Sequence, residues 1–313
     1  MKRILVVDDV HPVLLDIVRR HGFTCDYQPD ITRDQALLIL PEYEALVIRS
    51  KFLLTHEVLE HAGKLELICR AGAGMDNIDM IAAAAFNITC INAPEGNRNA
   101  VAEHAMGLLL SLSNKLVNSD REVRQQIWHR EANRGIEIKG RTVGIIGYGN
   151  TGSTFARKLQ GFECRVIAYD KYKKGFGTEG VEEVSLEDIF THADILSIHI
   201  PLTPESKGLV NSEFINRFSK PFYYLNTSRG ETQRMTAVVS GLLAGKILGA
   251  GLDVLETEKF PLKNEADKTW FQALVAMDNV QFSPHTAGWT VESYEKISRV
   301  LAEKFLKFYN LSE

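Results

Sequence analysis

Cysteine is scarce in this 313-residue sequence, and Cys25, Cys69, Cys90 and Cys164 stand far apart with no CxxC pair among them. That spacing supports neither a zinc ribbon nor a thioredoxin-like redox site. Each thiol lies in or beside an apolar stretch, so buried free cysteines and a reducing compartment are expected. No apolar run approaches the roughly 18 residues of a membrane-spanning helix. The opening MKRILVVDDV meets acid at Asp8 and has no cleavage-site pattern, so it does not read as a signal peptide. A basic excess is also missing: Lys+Arg 36 against Asp+Glu 40 leaves a formal charge of −4. That argues against a nucleic-acid or anionic-membrane partner but leaves room for a local basic pocket for a small anion. Internal repeats, low-complexity linkers and metal-ligand spacings are absent as well. A soluble, cytoplasmic protein is expected.

What is present is alternation. In the first hundred residues the strand candidates are 3–9, 23–28, 45–50, 65–71 and 88–92, with helix-like stretches at 12–21, 32–40 and 55–62 between them. Thr55 reads as the N-cap of the last of these. Strand–helix–strand order means crossover connections, hence a parallel sheet with helices on both faces. From about 97 to 130 one long helical region is expected, with Val101, Ala105, Leu108, Leu109 and Leu112 on its apolar face. Alternation restarts with strands at 141–149, 164–170, 194–200, 222–228, 247–254 and 279–284, and 289–311 is helical. The pattern predicts two α/β domains joined by two helices, with the first boundary near 97; the expected division is residues 1–96 with 287–313, and residues 97–286. Both are expected to be Rossmann-like, doubly wound parallel sheets, the first flavodoxin-like.

The second domain opens on Gly147-Tyr-Gly149-Asn-Thr-Gly152, with a strand before it and a helix after it. In that setting Gly147 permits a tight turn, Gly149 lets the backbone approach a pyrophosphate, and Gly152 lets helix pack close on strand. The first turn of the helix supplies amides and a positive dipole end for the negative charge. Asp170 ends the next strand 18 residues beyond Gly152. An acid there accepts hydrogen bonds from the adenosine ribose and repels the extra phosphate of NADP, so NAD is the expected cofactor. Lys171, Lys173 and Lys174 follow directly and leave some NADP tolerance open.

With these residues in view, the chain resembles the D-isomer-specific 2-hydroxyacid dehydrogenases, and among them the 3-phosphoglycerate dehydrogenases. The likeness rests on ALVIRS at 45–50, RAGAGMDNID at 70–79, VAEH at 101–104 and the glycine fingerprint. It continues through HIPLT at 199–203, NTSRG at 226–230, GLDVLETE at 251–258 and SPHTAG at 283–288. The expected form is a short one, without the regulatory domains that extend some phosphoglycerate dehydrogenases.

The resemblance implies an NAD-dependent oxidoreductase moving hydride between a D-2-hydroxy acid and nicotinamide. His285 would be the base, Glu258 its carboxylate partner and Arg229 the substrate arginine. Along the cofactor it places Asn150 and Thr151 at the phosphates and Pro201 and Thr203 beside the adenosine. Thr227, Asp253 and Gly288 fall at the nicotinamide end. His199 packs near the adenosine rather than acting chemically. Ala73 and Gly74 resemble the backbone cradle for the substrate carboxylate. Arg49, with Ser50, and Arg70 are assigned to a phosphate, which favours D-3-phosphoglycerate over glyoxylate, hydroxypyruvate or another 2-oxo acid. Trp128 and Arg130 match a pairing on the family's helical arm and suggest a homodimer. Three departures stand out: Lys259 and Phe260 after Glu258, a long loop at 259–272, and a missing acid in GETQRMTAV, where Gln233 stands.

The sequence also admits two rival readings. KRILVVDDV looks like the opening of a phosphoreceiver domain, but the third strand ends in VIRS with no acid to accept a phosphoryl group, so Asp8 and Asp9 read as turn residues. A dinucleotide-sensing scaffold for protein partners, like the dehydrogenase-derived corepressors, would share the fold. The intact Arg229, Glu258 and His285 set argues against it.

Overall fold

The computed structural model describes residues 2–311. Its elements run β1 (Arg3–Val6), α1 (Pro12–Arg20), β2 (Thr24–Tyr27), α2 (Arg33–Ile39), β3 (Ala45–Ile48), α3 (His56–Glu60), β4 (Leu67–Arg70), α4 (Met80–Ala85), β5 (Thr89–Asn92), α5 (Pro94–Ser113) and α6 (Leu116–Arg124). They continue β6 (Thr142–Ile146), α7 (Asn150–Leu159), β7 (Arg165–Tyr169), β8 (Glu182–Glu183), α8 (Leu186–His192), β9 (Ile195–Ile198), α9 (Ser212–Asn216) and β10 (Phe222–Asn226). The last are α10 (Met235–Leu243), β11 (Ile247–Leu252), α11 (Glu265–Val275), β12 (Val280–Phe282) and α12 (Val291–Phe308). Among the described residues no helix is long and apolar enough to cross a membrane.

The chain divides into two compact units, Met1–Arg98 with Trp289–Glu313, and Asn99–Gly288. It passes from one to the other inside α5 and again just ahead of α12. The first unit is a parallel sheet in the order β2-β1-β3-β4-β5, a flavodoxin-like arrangement. Its strands are apolar on both faces because both are covered. Ile4, Val6, Ala45, Val47, Leu67 and Cys69 pack under α1 and α12, while the alternate residues Leu5, Leu46, Ile48 and Ile68 pack under α2, α3 and α4. The second unit is a seven-stranded parallel sheet, β12-β11-β10-β9-β6-β7-β8, whose strand order reverses between β6 and β9. Ligands of open α/β sheets bind outside the carboxyl ends of the strands at such a switch point.

Three local expectations need correction. The long helix over 97–130 breaks after Ser113: Ser113 Oγ and Asn114 Nδ2 both donate to the Leu110 carbonyl, and Lys115 takes a left-handed conformation at φ 52°. Side chains that bond the last carbonyls end a helix in this way. Trp128 and Arg130 consequently lie beyond α6, off any helix. Thr55 does stand at the start of α3, but its hydroxyl donates to Glu57 instead of capping the helix. Half of the expected loop at 259–272 is the helix α11, opened by Asn264, whose side chain accepts from the Ala266 N–H. Of the four free cysteines only Cys69 is fully buried; the others are half-buried, and burial pushes the thiols of Cys25 and Cys90 up to about 11.

Candidate active site

The β6–α7 turn imposes its own residue types. Gly147 has φ +95°, and a Cβ there would lie 2.4 Å from the His199 carbonyl oxygen. A Cβ on Gly152 would lie 1.9 Å from the Gly147 oxygen. Gly149 differs, since a Cβ there would meet nothing within 4 Å. It stands immediately before α7, in open space at the positive end of the helix dipole. Two glycines thus serve the fold, and the third leaves room for a ligand.

Asp170 pins this turn from the end of β7. Its carboxylate accepts the Tyr148 N–H at 2.8 Å and the N–H groups of Tyr172 and Lys173 at 2.9 Å. Burial works against the ionised form, but the three amides outweigh it and hold its pKa below the ordinary value. The neighbouring lysines are engaged: Lys171 pairs with Glu205, Lys173 reaches the Tyr148 carbonyl, and Lys174 reaches the Asp170 carbonyl. Pro201 and Thr203 lie in a small turn closed by Ser206, whose hydroxyl donates to the Pro201 carbonyl at 2.7 Å. His199 is fully buried, its Nε2 2.9 Å from Ser197 Oγ, and burial lowers its pKa to about 4. It therefore brings no charge to the site at neutral pH.

The residues present fit a dinucleotide. The glycine turn leaves backbone-scale space at Gly149, and the Thr227 hydroxyl is buried without a protein partner, the state of a group waiting for a ligand.

Arg229, Glu258 and His285 belong to one unit and stand on loops at the carboxyl ends of β10, β11 and β12. Asn226 shapes the first loop: its Oδ1 accepts from both the N–H (3.0 Å) and the hydroxyl (2.8 Å) of Ser228. Gly230 follows because a Cβ there would fall 1.7 Å from the Leu255 oxygen. Beyond it, Gln233 is fully buried between the Tyr224 hydroxyl (2.8 Å) and the Val254 carbonyl (2.9 Å). Glu256 supplies an acid in this region from across the loop, accepting the first N–H of α10 at Met235 (2.8 Å) and pairing with Arg234 at 2.7 Å. The acid missing from GETQRMTAV is thus offset, and Glu256 caps the first turn of α10.

His285 has φ 55°, a left-handed conformation that histidine tolerates better than most residues. Asp253 imposes it. The Asp253 carbonyl accepts the His285 N–H at 2.8 Å, and its carboxylate accepts the N–H groups of Thr286 and Ala287 at 2.9 Å each. The His285 ring then meets Glu258, Nδ1 to Oε2 at 2.8 Å, with both side chains about two-fifths exposed. With the Glu258 carboxylate as acceptor, Nδ1 is the donor, and in the neutral ring Nε2 is then the acceptor. A histidine held in this way can act as a base with its orienting group in place.

In the other unit Asp8 accepts the N–H groups of Arg49 (2.6 Å), Ser50 (3.1 Å) and Lys51 (3.2 Å), and Asp9 accepts from the hydroxyls of Tyr27 (2.9 Å) and Tyr294 (2.8 Å), so both reach distant partners rather than their own turn. The Arg49 guanidinium stacks 3.9 Å from the Trp289 ring centroid. Ile48 and Arg70 are register partners on adjacent strands, so the two arginines leave neighbouring strand ends. Arg70 lies over Gly72, where a Cβ would meet its guanidinium at 1.7 Å. The Ala73 carbonyl accepts from Asn92 Nδ2 at 2.5 Å, fixing the start of the segment that includes Gly74. The roles of Trp289, Asn226 and Glu256 have no local spacing signal in the sequence, because their partners are set by folding.

Residues 106–287 match the family described as D-isomer specific 2-hydroxyacid dehydrogenase, NAD binding domain. A D-3-phosphoglycerate dehydrogenase of Archaeoglobus fulgidus is 32% identical over 96% of this chain and 56% of its own length. A hydroxypyruvate reductase of Thermotoga maritima is 34% identical over 88% of each chain. The chain spans only about half the length of the phosphoglycerate dehydrogenases it matches. Among solved structures, a D-lactate dehydrogenase from Aquifex aeolicus complexed with NAD and lactic acid superposes with TM-score 0.86 at 25% identity, covering 99% of this chain and 96% of that one. The chain belongs to the D-isomer-specific 2-hydroxyacid dehydrogenase family and carries its NAD-binding domain.

Proposed function

We propose that this protein is an NAD-dependent dehydrogenase of D-2-hydroxy acids, with His285, Glu258 and Arg229 as its catalytic residues. The observation that carries the reading is the Nδ1–Oε2 contact of 2.8 Å between His285 and Glu258, which leaves Nε2 free to take a proton. Nicotinamide, when bound, supplies the hydride acceptor. His285 Nε2 takes the hydroxyl proton as the carbonyl forms, and Glu258 stabilises the resulting imidazolium. The planar fork of Arg229 suits the substrate carboxylate and polarises the forming carbonyl. Asn150, Thr151 and Gly149 hold the pyrophosphate, Asp170 the ribose, Pro201 and Thr203 flank the adenosine, and Thr227, Asp253 and Gly288 meet the nicotinamide end. Asp170 has acceptor capacity for this, since three amides occupy about three of its four lone-pair sites.

For the substrate we favour D-3-phosphoglycerate, converted to 3-phosphohydroxypyruvate as in serine biosynthesis, with Arg49, Ser50 and Arg70 toward the phosphate and Ala73 and Gly74 toward the carboxylate. Stacking on Trp289 engages the face of the Arg49 guanidinium and leaves its in-plane N–H fork for an anion. The near full-length similarity to a hydroxypyruvate reductase supports a second reading, reduction of an unphosphorylated 2-oxo acid. The test is a nicotinamide-absorbance assay with NAD and NADP against D-3-phosphoglycerate, phosphohydroxypyruvate, hydroxypyruvate, glyoxylate, pyruvate and 2-oxoglutarate. Arg49→Ala should lower kcat/KM for the phosphorylated pair by roughly 30-fold and spare the others, since a charge-assisted bond to phosphate is lost. An equal loss across the panel would favour the second reading.

Two further features belong to this reading. Four free thiols support a cytoplasmic location. Exposed Leu116, Val117 and Val123 on α6, with Trp128 at 76% exposure, support a homodimer through this segment. A monomer in sedimentation velocity at micromolar concentration would overturn it.

A further inference from the structure

The VAEH motif enters none of the steps above, yet its histidine is tied to the candidate active site. His104, on α5, places Nε2 2.7 Å from Ser283 Oγ, and the Ser283 hydroxyl lies 2.5 Å from Asp253 Oδ1. The Ser283 hydroxyl donates to Asp253, whose carboxylate also accepts the Thr286 and Ala287 N–H groups. The Ser283 oxygen must then accept from His104, which places a proton on Nε2. His104 Nε2 also lies within 3.5 Å of Asp253 Oδ1, and Asp253 is 1% exposed. A buried carboxylate of this kind needs donors on every side.

We propose that His104 is a positioning residue that acts through Ser283 to orient Asp253, and through Asp253 sets both the nicotinamide end of the cofactor site and the backbone of His285. Oδ1 accepts from Ser283 and Thr286, and Oδ2 accepts from Ala287. One of about four acceptor positions is left on Oδ2, enough for one N–H of the nicotinamide carboxamide. The same residue's carbonyl holds the His285 N–H. Rotation of Asp253 would therefore disturb amide recognition and the base together. The inference deepens the dehydrogenase reading and rests on Asp253 facing the nicotinamide.

The test compares His104→Leu, His104→Gln and Ser283→Ala in the purified protein. Dissociation constants for NADH and for ADP-ribose, which lacks the nicotinamide, are measured by calorimetry alongside kcat and KM. His104→Leu is expected to weaken NADH about tenfold or more while ADP-ribose changes by about twofold or less, because the lost bond bears only on the nicotinamide end. Glutamine can place an amide N–H near Nε2, so His104→Gln should restore most of the affinity and the turnover. Ser283→Ala should reproduce His104→Leu, and the double variant should be no worse than either single one. Equal losses for NADH and ADP-ribose, or no loss in either His104→Leu or Ser283→Ala, would overturn the role of His104. Should His104→Leu fail to fold, Ser283→Ala alone decides by the same split. Wild-type protein that binds neither ligand would instead overturn the NAD site itself, and the proposal with it.

Discussion

Replacing His285 by asparagine is expected to lower kcat by about 10²- to 10⁴-fold, the usual contribution of a positioned general base, while the dissociation constant of NADH stays within about twofold. Asparagine is the informative choice. The backbone at 285 has φ 55°, where alanine adds strain that asparagine largely avoids. Loss of turnover in His285→Asn therefore reports the missing imidazole rather than a displaced loop. The loop has its own support in any case, since the N–H groups of residues 285, 286 and 287 all bond to Asp253. Glu258→Gln gives the companion result. A neutral amide can turn its NH₂ toward Nδ1 and favour the tautomer with the proton on Nε2, so kcat should fall although the ring stays in place. Single-turnover hydride transfer in a stopped-flow instrument separates these effects from product release. Near-normal transfer in His285→Asn would remove His285 from the mechanism.

The second large effect separates two glycines three residues apart. Gly152→Ala sets a methyl group 1.9 Å from the Gly147 oxygen and 3.3 Å from the His199 side chain. Backbone cannot yield as a flexible side chain does, so α7 must move off its sheet. A loss of roughly 2–4 kcal/mol in unfolding free energy is expected, with cofactor binding lost as well. Gly149→Ala is predicted to behave differently. Its φ of −83° suits any residue and its Cβ would meet open space, so the thermal midpoint should hardly move. The new methyl nonetheless stands where the backbone would approach the pyrophosphate, and NADH affinity should fall about tenfold or more. Thermal denaturation by circular dichroism, paired with NADH titration, reads both variants. A Gly149→Ala protein that binds NADH like the wild type would refute the assignment of that space to the cofactor.

Much of this architecture is legible in the sequence. The strand positions followed from short β-branched and apolar runs, because a strand buried on both faces has little freedom in composition. Ile4 and Val6 take one face of the first sheet and Leu5 the other, and all three had to be apolar. The glycine turn was equally legible, since backbone clearances at Gly147 and Gly152 exclude every other residue. The helix break at Lys115 was not. The periodicity of Val101, Ala105, Leu108, Leu109 and Leu112 continues smoothly toward it, and the capture of the Leu110 carbonyl by Ser113 and Asn114 leaves no trace in hydrophobic spacing. The replacement at Gln233 was visible as a departure, but its compensation by Glu256 was not.

Local residue patterns account for the two parallel α/β sheets, the dinucleotide turn and the identity of the groups able to do the chemistry, because each rests on local demands of backbone conformation, burial or charge. Tertiary structure alone decided which of those groups meet. His104 and Ser283 are 179 positions apart, His285 and Glu258 are 27 apart, and Asp253 faces residues 30 or more positions away. A hydrogen bond between distant residues depends on strand order and loop path, which no short stretch of sequence encodes.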